Sequence, residues 1–525
     1  MINVSDAWKD IHQRFILPEG HIEIKCELSE VGIQELAVPS GTNEAELSDV
    51  SKVTDVDIMS ASRKYATNEL NMWALDGSMF VLPDSNYEPT GYVSDIAESG
   101  SVTLKLPSVR AVALPGVMIT WSDVYGEYPS IFTVTAKNGE NVVAELTVTD
   151  NTEKSCLVDL EINNYDSVTV TVHNWCVPYH RARIDSIYLG HTLTLNKNDI
   201  LSYTHEHRGD ILSGELPKNS IEFSLNNIDG RWNPSNPTGM EKYLSERQKL
   251  TVRYGFKLDD NSIEWIKAGT FYLSEWSSPS NGLEARFTAR DALEFVINAE
   301  NKTMKTDTLK GLAEWATASL PDDIAVDIDA SLANYTAEYK GDSTSAEILQ
   351  KCANAGGCVI RSDREGALHI EPISAIMTDY LIPLSLSYSY PEIELSKPLK
   401  TVSVAYGEEL VHELSVASLG EVQTVSNDFI TSEGQAQMVA QLVKETLESR
   451  KKIKGEFRAD PRLDVFDLVV VESKYGYVFP VVITDIKYSF NGSFNATYEG
   501  RVLTTAVESA IGSFVIGAST LGGAV

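Results

Sequence analysis

Apolar and polar residues alternate with period two, in short runs, along most of this chain. The run His21 to Leu28 (HIEIKCEL) has this alternation, which marks a half-buried strand. From Tyr92 to Gly190 it recurs in SVTLKL, GVMITW, SIFTVTAK, NVVAELTVT, CLVDLEI, SVTVTVHNW and RARIDSIYLG, separated by Gly, Asn, Asp and Pro. So many short strands in about a hundred residues, with no segment of helical period, predict a β-sandwich. Residues 191–300 again read as strands (NSIEFSLNN, KLTVRYGFK, IEWIKAGTFYLSEWS, GLEARFTA) and end in the helical-looking RDALEFV. DGRWNPSNPTG between them is a loop, because its prolines remove donors and fix φ.

The period changes at residue 306. TLKGLAEWATASL puts Leu309, Leu312, Ala313, Ala316 and Leu320 on one helical face, and TSAEILQKCANAGG does the same with Ile348, Leu349, Cys352 and Ala353 before stopping at Gly356-Gly357. CVIRSDREGALHIEPI predicts a hairpin turning at Asp363 to Gly366. Residues 376–505 return to strands (KTVSVAYG, DLVVVES, YVFPVVITDIKYSF, SFNATYEGRVL). One long helix interrupts them, SEGQAQMVAQLVKETLESRKK, with Ser432 as N-cap and a basic end that suits the dipole. A short helix lies within residues 1–20, ending at Pro18-Glu19-Gly20, and polar residues 29–84 read as mostly irregular. The fold class is therefore mainly β and multidomain. It has an N-terminal segment (1–84) holding the first strand of a barrel, a sandwich (85–190), a first barrel (191–300), an α+β domain (301–375), and a second barrel with the long helix and a C-terminal tail (376–525).

Length agrees, since 525 residues exceed one ordinary core and suggest about three or four domains. A formal net charge of −32 argues against nucleic acid and against an anionic membrane surface, both of which need clustered Lys and Arg. Five cysteines (Cys26, Cys156, Cys176, Cys352 and Cys358) fit folding in a reducing cytosol without a disulfide framework. KCANAGGC has no zinc spacing, so Cys352 and Cys358 read as small buried residues. The N-terminus lacks an apolar run flanked by basic residues, so no signal peptide is expected. AIGSFVIGASTLGGAV near the end is short of the roughly 18 apolar residues of a membrane helix. Assembly in the cytoplasm is the expectation.

Candidate chemistry is sparse. GxSxG, HExxH, P-loop and GxGxxG are absent, so no catalytic residue and no cofactor is expected. His205 and His207 in YTHEHRGD would share one face of a strand, yet no third ligand stands at a recognisable spacing, and a solvated loop without metal is expected. Two loops of the sandwich are richer. One offers Trp121, Asp123 and Tyr125 and the other Trp175, Tyr179, His180, Arg181 and Arg183. Aromatic faces with directed Arg and Asp hydrogen bonds are what a carbohydrate site needs. The competing assignment makes Trp121 and Trp175 core residues and pairs Arg181 or Arg183 with an acidic neighbour.

SGELPKNSIEFSLNNIDGRWNP, GTFYLSEWSSPSNGLEARFTARDALEFV, GGCVIRSDREGALHIEPI and GEFRADPRLDVFDLVVVESKYGYVFPVVITDIKYSFNGSFNATYEGRV resemble the tail-tip or baseplate hub family (the hub part of tail-associated lysins) of phages that infect Gram-positive bacteria. The matches cover most of 191–505. Residues 92–190 resemble a galactose-binding-like (discoidin-type) sandwich, inserted so that HIEIKCEL belongs to the barrel of 191–300. The resemblance implies a non-enzymatic structural hub of the virion tail tip. It implies two hub-type barrels per subunit and a homotrimer forming a pseudo-hexameric ring. Its partners would be the distal tail protein, the tape measure protein and tail fibre or receptor-binding proteins, with host surface glycan at the sandwich. Two other classes fit parts of the pattern. A receptor-binding adhesin would not need the hub-like portion, and a cell-wall or polysaccharide hydrolase would need a catalytic motif.

Overall fold

A computed structural model describes residues 2–502 except 3, 15–18, 31, 55–63, 75, 77, 78, 82–90, 123, 234, 237–239, 241, 242, 280, 281, 302, 322, 342, 374–378, 383, 408 and 409. The expected turn at Pro18, the site residue Asp123 and the apolar C-terminal stretch lie outside the described residues. The chain is mainly β with a small helical part, and it divides into two compact units. One comprises Cys26–Leu193 with Arg231–Gln248; the other comprises Met1–Lys25, Thr194–Gly230 and Lys249–Val525.

The first unit is built on a five-stranded antiparallel sheet in the order Val38–Thr42, Gly100–Arg110, Tyr165–Trp175, Pro129–Asn138, Asn141–Val148. A three-stranded sheet has Val117–Thr120 between Ser186–Leu189 and Ser155–Val158, and Arg181–Ile184 pairs separately with Tyr92–Ala97. Period-two alternation sends Val102, Leu104, Val134, Val168 and Val170 of the large sheet and Val117, Ile119, Ile187 and Leu189 of the small one into a single core. The described residues between 32 and 54 are less irregular than the polarity of that stretch suggests. Ile33–Leu36 is a short helix and Val38–Thr42 is an edge strand of the large sheet.

In the second unit one sheet carries Lys249–Lys257, Ile263–Ser277, Glu284–Arg290, Lys218–Asn226, Ile200–Arg208, Val478–Phe490, Phe494–Val502, Lys451–Arg458 and Glu392–Leu395 in that order. Gly20–Leu28, with HIEIKCEL, lies beyond Lys249–Lys257. The two stretches that the sequence separates, 191–300 and 376–505, thus share a sheet. They meet where Ile200–Arg208 runs antiparallel to Val478–Phe490, from Tyr203↔Phe490 to Arg208↔Asp485. YTHEHRGD is therefore strand rather than a solvated loop through Arg208. His205 and His207 are buried and stack with ring centroids 6.2 Å apart.

The helices pack in a separate core of this unit. Leu309–Thr317 buries Leu309, Leu312, Ala313 and Ala316, while Leu320 lies past its end. Ser345–Gly356 buries Ile348, Leu349, Cys352 and Ala353 and stops at Gly357, whose φ of 68° no β-carbon favours. The hairpin of Val359–Ser362 and Leu368–Glu371 turns through Asp363 to Gly366 as expected. Glu433–Glu448 opens on Ser432, which accepts from the Gln435 N–H, but it ends before the basic residues. Lys451 and Lys452 belong to the following strand, so they do not complement the helix dipole. RDALEFV forms only the 3-10 turn Ala292–Phe295. Among the described residues no helix is long and apolar enough to cross a membrane.

Candidate functional site

Most of the residues expected to bind sugar do converge, but around carboxylates of their own chain. Trp175 closes the strand Tyr165–Trp175, is 2% exposed, and donates its indole N–H to Glu127 Oε2 at 2.7 Å. The other oxygen of Glu127 lies 2.8 Å from His180 Nδ1. His180 Nε2 is 2.5 Å from the Leu70 carbonyl oxygen. Arg183, on the strand Arg181–Ile184, donates to Glu69 Oε2 at 2.6 Å and to the Arg181 carbonyl at 3.1 Å. Its guanidinium sits 4.7 Å from the centre of the Tyr125 ring. The Arg181 backbone N–H completes the cradle by donating to Glu69 Oε1 at 2.6 Å, and the Tyr65 N–H donates to the Tyr125 hydroxyl at 2.9 Å.

Electrostatics explain why the cluster is stable where it is. Burial acts to raise the Glu69 carboxyl, but the Arg183 charge and the hydrogen bonds from Arg183, Thr67 and the Arg181 N–H outweigh it and hold Glu69 below its usual range. Burial pushes the Tyr125 hydroxyl up. A buried guanidinium facing a buried carboxylate satisfies both, whereas either alone would be costly.

The remaining expected residues separate from this cluster. Trp121 is fully buried in the core with its ring 4.8 Å from that of Phe132, so it presents no face to a ligand. The side chain of Arg181 points toward Asp95, 3.6 Å away. Tyr179 stands well out in solvent, 68% exposed, on a backbone with φ 63° that a bulky residue seldom adopts. Its N–H donates to Glu98 Oε1 at 2.9 Å. Of the residues expected at a sugar site, Trp121 and Trp175 thus pack inward, as in the competing assignment, and Arg183 pairs with Glu69. Glu69 and Glu127, which organise the cluster, escaped the sequence reading. They lie 114 and 48 residues from their partners, and nothing local marks a carboxylate that will be buried.

A second polar cluster lies in the other unit. His207 Nδ1 is 2.5 Å from Asp464 Oδ1. Arg364 donates to the carbonyl oxygens of Lys267, Pro461 and Leu463 at 3.2, 2.8 and 2.9 Å and reaches Asp464 at 3.4 Å. Burial works to raise Asp464, but His207 and Arg364 win and hold it far below the usual carboxylate range. The Arg364 guanidinium thus ties its own turn to the strand Ile263–Ser277 and to the segment Pro461–Asp464. No group of three or more His, Cys, Asp or Glu suited to a metal ion occurs among the described residues.

No protein-family model matches the chain, and no curated protein matches it. Solved structures that align with it include phage tail proteins and VgrG-type proteins. The 43 kDa tail protein of prophage MuSo2 from Shewanella oneidensis is 14% identical, the match covering 59% of this chain and 94% of that one with a TM-score of 0.43. Prophage tail protein gp18 from Listeria monocytogenes EGD-e is 12% identical over 61% of this chain and 95% of that one, TM-score 0.41. A chain of the Francisella PdpA–VgrG complex is 10% identical over 75% of this chain and 53% of that one, TM-score 0.40.

Proposed function

We propose that the protein is a structural hub subunit of a phage tail tip, assembling as a homotrimer whose ring joins the tail tube to the host-recognition apparatus. The observation that carries this reading is the continuous sheet of the second unit. In it, the hairpin-built strands of 191–300 and those of 376–505 stand side by side, joined through Ile200–Arg208 and Val478–Phe490. A chain carrying two such lobes supplies, in three copies, a ring of sixfold character with a threefold axis, which is what a junction between a sixfold tube and a threefold tip requires. Of the hub-like segments quoted above, NSIEFSLN and GTFYLSEWS fall in strands of the first lobe and LVVVE, VFPVVITDIKYSF and FNATYEGRV in strands of the second. Distal tail protein, tape measure protein and fibre proteins are the partners this role implies. Glycan contact is left out of the reading, since the side chains expected to make it are mostly buried or paired.

Light scattering on the purified full chain tests the proposal. A mass of three copies is expected, and a monomer at micromolar concentration would overturn it.

A further inference from the structure

The contacts around Arg183 have the composition of a ligand site, and one chain segment fills all of it. Residues 64–74 cross the end of the sandwich and present a carboxylate (Glu69), a carbonyl oxygen (Leu70) and an amide N–H (Tyr65) to Arg183 with the Arg181 N–H, to His180 and to Tyr125, respectively. These are the groups an acidic small molecule would present. Only Tyr65, Glu69 and Met72 of this segment are buried, while Leu70 and Trp73 (57% exposed) face solvent. The strap is therefore held by the polar anchor Glu69 and by the two buried side chains Tyr65 and Met72. Lifting it exposes Tyr65 and Met72 and breaks the Glu69–Arg183 pair, so an external carboxylate that replaces Glu69 on Arg183 offsets the largest electrostatic part of that cost.

What lies beneath would persist. Arg183 has Glu127 3.9 Å away and the Tyr125 ring against its guanidinium, and Glu127 is fixed in turn by Trp175 and His180. We infer that this end of the sandwich is a carboxylate-binding pocket, that Glu69 is its built-in occupant, and that an external carboxylate binds by displacing the strap 64–74. Guanidinium and backbone N–H on one carboxylate are a charge-assisted pair of donors that tells an acid from a neutral sugar. Competition from Glu69 lowers the apparent affinity by the fraction of time the strap is open. The inference does not depend on the hub reading, because every group in it belongs to the sandwich unit.

The test uses the full chain with D-glucuronate, L-glutamate and D-glucose as separate probes. Chymotryptic cleavage after Leu70 and Trp73 reports the strap, and calorimetry reports binding. In the native chain a carboxylate probe should accelerate that cleavage saturably, and glucose should not. Glu69→Gln removes the internal carboxylate while keeping its shape, and should tighten carboxylate binding at least about tenfold by removing the competitor. Response to both acids would support a general carboxylate pocket, and response to one would support the pocket and name its source as a sugar acid or an acidic amino acid. Equal effects of glucose and glucuronate would overturn the assignment. So would a strap whose cleavage is indifferent to either acid in the native chain, whether or not Glu69→Gln folds.

Discussion

His205 shows how far one residue can be understood from its strand. Its Nδ1 lies 3.0 Å from the Tyr254 hydroxyl, which is 2.8 Å from that of Tyr203, and its Nε2 lies 2.8 Å from Asn219 Oδ1. The neutral ring fits this chain, donating from Nε2 and accepting at Nδ1. Burial, and then the neighbouring His207, push its pKa down to about 3, and burial likewise lowers His12. In the unfolded chain a histidine takes up a proton near pH ~6.5. A folded pKa below that value means the unfolded state binds more protons as pH falls, so this contribution is intact above pH ~6.5 and is lost progressively below it. Depressed carboxylates such as Asp464 act only nearer pH ~4, where unfolded aspartate titrates. The melting temperature should therefore fall between pH 6.5 and 4.5, and His205→Gln should flatten that slope. An unchanged slope in the variant would place the acid sensitivity elsewhere. That both histidines share a face was legible in HxH on a strand. That the strand is central was not, because its two neighbours, Lys218–Asn226 and Val478–Phe490, include one from the far end of the chain.

Elements whose stabilising contacts are local in sequence read well. The helix Ser345–Gly356 is legible from its apolar spacing and Gly stop, and the structure adds a capping box. In the box, Thr344 Oγ1 accepts from the Glu347 N–H at 3.3 Å, and Glu347 Oε2 accepts from the Thr344 N–H at 2.8 Å. Thr344→Ala should cost about 1 kcal/mol by removing one reciprocal bond, and Thr344→Ser should restore most of it. Urea unfolding measures both, and equal loss in the two variants would show that the methyl group rather than the hydroxyl matters. Sheets are different, because their partners are remote. The strand Val38–Thr42 contains Pro39 and Gly41, both poor strand formers, and is a strand only because Gly100–Arg110 lies beside it. The same remoteness hid the site. Trp121, Trp175 and Arg183 look like ligand-binding residues until Phe132, Glu127 and Glu69 are brought to them.

At the scale of the molecule, the sandwich is larger than its alternating strands. Its unit begins at Cys26 and takes in Arg231–Gln248, from the stretch that contains the predicted loop DGRWNPSNPTG. Within the unit Trp232 is buried, and Gln248 donates to the carbonyl oxygens of Ser29 and Tyr243 at 3.4 and 2.6 Å. The Tyr243 hydroxyl donates to Glu161 at 3.3 Å. Cutting out 85–190 would leave Val38–Thr42 without its neighbour and Ile33, Ala37 and Val53 without the core they share with it. The converse experiment is sharper. Residues 26–193 alone would lack the buried Trp232 with the rest of 231–248, and loss of a large buried aromatic costs about 3–5 kcal/mol. Such a fragment should melt well below one in which 231–248 is attached through a flexible linker, and a linked Trp232→Ala version should fall back toward the shorter fragment. Matching melting temperatures for all three would mean that 231–248 merely lies against a sandwich that folds without it.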